Sequence, residues 1–204
     1  PANLEECIHT AIEKKYPDTM NMLIYQGLQL GITQRGLDRN KELDQWGKSL
    51  AEKILTQKPF NKDAGSQVLK MQKTAADIAG FQQIKPVIEP LKNIVKGVRT
   101  EDLSIQGQSG LNGDIVNVKI AALKAIIMLD PTEGGKQVLA IIESNETNPD
   151  FQRQIGRLLT GFPDFVAEKI VKNLKNPSPD LQSGIAYTLS GTSKGKDLLF
   201  TEVK

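Results

Sequence analysis

The chain has 204 residues, 26 Lys+Arg against 24 Asp+Glu for a formal net charge of +2, one cysteine and only 5% aromatic residues. So near a balance leaves no strong field for nucleic acid or a membrane surface. Cys7, standing alone, excludes an internal disulfide and a thiolate metal cage.

Apolar residues recur at helical spacing from the start of the chain. Leu4, Cys7, Ile8, Ala11 and Ile12 predict an amphipathic helix over 3–15. Tyr16-Pro17-Asp18 opens a second, with Met20, Leu23, Ile24, Gly27, Leu28 and Leu30 as its apolar stripe and Gly31 as its stop. Asn40 is placed to cap a third helix through Thr56, with Leu43, Trp46, Leu50, Ile54 and Leu55 inward, and Lys58-Pro59 ends it. Asn61 or Asp63 caps a fourth, which runs to Gly80 and buries Val68, Leu69, Met71, Ala75, Ala76 and Ile78. A fifth spans Gln83 to Lys96; Pro86 suits its first turn, and Pro90 predicts a kink or a later start.

From Gly97 to Gly113 the periodicity stops and glycine stands at 97, 107, 110 and 113, which predicts a flexible insertion loop over 97–113. Asp114 then caps the most apolar helix, where Ile115, Val116, Val118, Ile120, Leu123, Ile126 and Ile127 cover more than one face and place it mid-stack. Asp130-Pro131-Thr132-Glu133 is a capping box that starts its partner, with Val138, Leu139, Ile141 and Ile142.

The remaining chain states one pattern twice. Pro149-Asp150-Phe151-Gln152 and Pro179-Asp180-Leu181-Gln182 each open an apolar helix, after Asn148 and Ser178 as caps, and Gly161 and Gly191 close them. Further helices over 163–175 and 193–203 follow, so the unit is a helix pair of about thirty residues. No stretch alternates with the period of a half-buried strand. The expected fold is therefore all-α, an α-α superhelix of about five helix pairs forming a single domain over 1–204. Each pair is too thin to bury its own apolar face and must lean on the next. Without a starting Met, and with the chain ending on Lys204 just after a helix begins to pack, the chain is expected to be a fragment of a longer protein, monomeric as such.

Pro-Asp at 17, 149 and 179, with Leu23, Ile155 and Ile185 five residues after each Asp and glycines closing the helices, resembles the HEAT and armadillo repeats. The run from Leu189 to Phe200 is similar to the helical-repeat segment of large exported bacterial proteins, in which a dehydrogenase-like β-propeller precedes the repeats and a c-type cytochrome follows. That resemblance implies a periplasmic or extracellular location. The haem-attachment signature is not in these residues.

No complete catalytic constellation is legible, and no cofactor or metal is expected. Glu6 and His9 have the spacing of a di-iron carboxylate-histidine motif, but that site needs a second histidine and the chain has one. Gly191-Thr192-Ser193-Lys194-Gly195-Lys196 resembles a phosphate loop but has three residues between its glycines where four are needed, and Asp197 where a hydroxyl should follow. A turn between helices accounts for it. Arg153 and Arg157, with Lys169, Lys172 and Lys175, form the candidate partner surface, weighed against an ordinary solvated face. Trp46 falls on the apolar stripe of its helix and reads as core. These features imply a non-catalytic module for protein-protein or interdomain contact, with neither nucleic acid nor membrane as partner. The alternative is a helical-repeat enzyme or nucleic-acid-binding domain of the DNA-glycosylase type, which would call for a strongly basic groove with aromatic side chains.

Overall fold

The computed structural model of the chain describes residues 2–14, 16–58, 60–61, 64–97, 109–143, 149–173 and 179–202. They are helical, with no strand among them: α1 (Ala2–Glu13), α2 (Asp18–Gln34), α3 (Lys41–Gln57), α4 (Ser66–Phe81), a 3-10 turn (Lys85–Val87) leading into α5 (Ile88–Lys96), and α6 (Ser109–Leu129). Then come α7 (Pro131–Glu143), α8 (Pro149–Thr160), α9, α10 (Pro179–Ser190) and α11 (Ser193–Glu202). Helix α9 changes winding twice, from an α turn (Pro163–Phe165) through a π segment (Val166–Ile170) to a 3-10 end (Val171–Asn173).

Local signals set most boundaries. Asn40 caps α3, its side chain accepting from the Leu43 amide at 2.9 Å. Asp130 caps α7 by accepting from the amides of Thr132 at 2.9 Å and Glu133 at 3.0 Å. The Glu133 carboxylate takes Gln137 and Lys92 as partners, so only the aspartate half of the expected capping box forms. Pro90 lies in the first turn of α5, because the preceding residues wind as 3-10 and the helix starts late.

Elsewhere the boundaries differ from the sequence reading. Pro17 is the cap of α2, not its first residue, and the helix passes Gly31 to end at Gln34, with Gly36 just beyond its cap at φ +61°. The amides of Gly36 and Leu37 close back onto Thr33 and Ile32 there, the pattern of a Schellman end. Gly65, rather than Asn61 or Asp63, precedes α4. Helix α6 starts at Ser109, so the last residues of the expected 97–113 loop are helical; its residues 98–108 lie outside the described residues, as do the caps Asn148 and Ser178. Asp114 is consequently inside α6, where it accepts a hydrogen bond from Ser66 of α4.

Most helices pack on a chain neighbour and on the helix two places along. One series of contacts joins α2 to α4, α4 to α6, α6 to α8 and α8 to α10; the other joins α1 to α3, α3 to α5, α7 to α9 and α9 to α11. Helix α6 sits between α4, α5, α7 and α8. Its Val118, Ala122, Leu123 and Ile126 are fully buried, which explains an apolar surface wider than one stripe. Between α5 and α7 the link is polar: Lys92 Nζ reaches Glu89 at 2.9 Å and Glu133 at 3.2 Å. The Gln137 amide and Lys92 hold the Glu133 carboxyl below its ordinary value, and Glu89 followed by Glu133 raises Lys92.

Helix α2 runs against α3. Asp18 accepts from Lys53 at 2.8 Å and Lys58 at 2.9 Å near the end of α3, while Tyr25 meets Trp46 edge to face near its start, with ring centroids 6.1 Å apart. The Tyr25 ring fills the space over Gly47, where a Cβ would lie 2.3 Å from it. That is why a residue costing about 1 kcal/mol of helix propensity stands inside α3. The stripe that this packing buries is Met22, Tyr25 and Ile32. Leu23, Leu30 and Met20, read from the sequence as inward, are 64%, 57% and 46% exposed. The register match of Leu23 with Ile155 and Ile185 therefore fails, since those two are buried.

Gly47→Ala is expected to lower stability by about 1–3 kcal/mol through overpacking against Tyr25. Gly27→Ala has open space around its Cβ and should raise stability by about 0.5–1 kcal/mol; urea unfolding of the two variants checks the contrast. Asp18→Asn should cost about 1 kcal/mol at neutral pH, a small figure because both lysines are about half exposed. The Lys53 hydrogen bond, ahead of Lys58, holds the Asp18 carboxyl below its ordinary value. Its contribution is thus complete above the unfolded value and lost as pH falls through the lower folded value, so the wild-type advantage over Asp18→Asn should close only below about pH 4.

Candidate functional site

Helices α2 and α4 both run against α3, so they share a direction, and paired positions show that α6 runs the same way. Ser66 meets Asp114 near one end, while Gly80 meets Ala125 and Gln83 reaches the Met128 carbonyl near the other. The C-terminal halves of the three helices enclose a groove of about 620 Å³. Ala76 and Gly80 of α4 and Ala125 of α6 line its floor. A Cβ on Gly80 would come within 2.9 Å of the Ala125 Cα, so glycine is what lets the two backbones meet there. Leu30 and Thr33 of α2 form one wall and Lys124 and Met128 of α6 the other, and Phe81, 63% exposed, stands at the mouth.

The polar groups around this groove are mostly committed to one another. Lys73 is paired with Asp77 at 2.8 Å along α4. Arg39 lies 4.8 Å over the Phe81 ring and is held by Asp44 at 3.0 Å. Lys124 is exposed and makes no ion pair among the described residues. The Tyr25 hydroxyl accepts from Gln29 at 2.8 Å, and burial, reinforced by the Asp44 charge, pushes its ionisation upward. Tyr25 is therefore a neutral phenol at physiological pH and offers no nucleophile.

One backbone feature marks the end of the groove. Gln83, just beyond α4, has φ +57°, a conformation that side chains other than glycine adopt at a cost of about 1 kcal/mol. Its side-chain amide donates to the carbonyls of Gly80 at 3.0 Å and Met128 at 3.3 Å, tying the ends of α4 and α6 together. Ile84, the next residue, is buried as the helix turns back.

The residues singled out from the sequence lie elsewhere. Arg157 is exposed on α8 and Lys172 on α9; Lys169 is half-buried and engaged with a neighbour. Arg153 is on α8, its side chain outside what is described, and Lys175 is outside the described residues. His9 is 63% exposed, 3.5 Å from Glu42, and Cys7 is exposed. No group of three His, Cys, Asp or Glu among the described residues could hold a metal ion. In the 191–196 turn the Gly195 amide donates to the Thr192 hydroxyl at 3.0 Å and is spent on a helix cap rather than on an anion. Trp46 is partly buried against the core. The groove itself was missed. Its signal was a surplus: α2 has two apolar rows where packing against α3 needs one.

Comparison of the chain with family models, with curated proteins and with solved structures finds no match. Among the described residues no helix is long and apolar enough to cross a membrane.

Gln83→Ala keeps the left-handed backbone but loses both side-chain hydrogen bonds, and is expected to lower stability by about 1 kcal/mol. Gln83→Gly removes the strain as well and should lie about 1 kcal/mol above Gln83→Ala. Equal midpoints for the two variants in denaturant unfolding would show that the turn stores no strain.

Proposed function

We propose that the chain is a non-catalytic helical-repeat module, a two-layer stack of helix pairs of the HEAT or armadillo kind, which holds a protein segment. The segment belongs to a separate partner or to a neighbouring domain of the same polypeptide. The observation that carries this is the groove over α4 together with the apolar surface beside it. Met20, Leu23, Leu30, Leu37 and Phe81, five of the seven exposed large hydrophobic residues among the described residues, stand on α2, just after it or at the groove mouth. Scattered single apolar residues need no explanation, whereas a row of them continuous with a groove is the usual form of a protein-binding surface. The contact pattern, in which most helices touch the next and most touch the one after, supports the repeat reading. The groove is lined by α2, α4 and α6, whereas Lys169 and Lys172 stand on α9.

A photo-reactive amino acid placed at Leu30, Met128, Arg157 or Lys172 of the full-length protein tests the assignment in cells. Adducts with a protein or with another domain are expected at Leu30 and Met128, and not at the other two positions. Adducts confined to Arg157 and Lys172 would move the surface to the basic helices, and none at any position would remove the binding role.

A further inference from the structure

The groove is suited to one class of occupant, and the geometry points to an amphipathic α-helix with an acidic flank, laid antiparallel to α2, α4 and α6. This deepens the protein-binding reading and rests on it. The first argument is backbone chemistry. An extended segment on a floor of Ala76, Gly80 and Ala125 would leave its N–H and C=O groups facing alkyl groups, with no strand edge among the described residues to pair with. A helix satisfies its own backbone and presents only side chains, anchoring them at i, i+4 and i+7.

The second argument is direction. Because α2, α4 and α6 run the same way, their C-terminal ends lie on one side of the groove, each with roughly half a negative charge. An occupant lying antiparallel puts its positive N-terminal end there. The third is side-chain charge. Asp77 neutralises Lys73, which leaves Lys124 as the unbalanced charge of the lining, and an acidic residue beside the occupant's apolar row would complete that pair. Leu30 and Met128 are the walls that its apolar row would meet.

A display library of random peptides, roughly four helical turns long, is selected on the whole chain. The selected peptides should carry apolar residues at helical spacing with Asp or Glu alongside, and should bind at least about tenfold more weakly to Lys124→Glu and to Leu30→Asp. Reselection on Lys124→Glu should enrich Lys and Arg at the flank. Both positions are exposed, so the variants should keep the wild-type circular dichroism and melting profile. Extended or proline-rich winners, no acidic bias, or affinities indifferent to both substitutions would overturn the assignment. So would a wild-type dimer in sedimentation that Leu30→Asp dissolves, since a second copy would then be the occupant. If cross-links from Leu30 capture a partner while the selected peptides are not acidic helices, the binding role stands and the helical occupant falls. If both fail, the role falls with it.

Discussion

The close approach of α4 to α6 at Gly80 is the contact on which the rest of the arrangement depends. With no Cβ at that position, the α4 backbone comes against Ala125 and the Met128 sulfur, and two helices running the same way approach closely. The approach lies at the centre of the helix packing, where α6 contacts α4, α5, α7 and α8, and at the floor over which α2 and α6 stand as walls. Core and groove thus share one cause. Gln83 reinforces the contact from the end by donating to a carbonyl of each helix, and does so from a backbone conformation that local preference disfavours.

The polar contacts divide along the same line. Asp18 with Lys53 and Lys58 ties the start of α2 to the end of α3, and Glu133 with Lys92 ties α7 to α5. Around the groove the polar side chains pair among themselves, Lys73 with Asp77 and Arg39 with Asp44, and Lys124 is left over. Beside this mostly neutralised surface, Met20, Leu23, Leu30 and Phe81 stand exposed.

Helix by helix, legibility followed how local the cause was. Asn40 and Asp130 were readable as caps because the bond each makes is to an amide two or three residues ahead. Pro90 was readable as a late start because proline acts on its own turn. The start of α6 was misread because Asp114 has the right side chain for a cap and the wrong neighbour: its carboxylate is taken by Ser66 of α4. Helix α2 was misread for the same kind of reason. Repeat logic aligned Leu23 with Ile155 and Ile185, but the ring of Tyr25 fits over Gly47 and turns the helix so that Leu23 faces water.

The amino-acid order by itself determined that the chain is helical, roughly where most of the helices begin and end, and that α6 must be surrounded, because capping, proline geometry and apolar period act within a turn or two. Which of the two apolar rows of α2 goes inward, and that α2, α4 and α6 together leave a groove with Lys124 unbalanced on its wall, was decided only by tertiary structure. Those outcomes depend on a tyrosine ring and a missing Cβ meeting partners more than twenty residues away, and no local preference records such meetings.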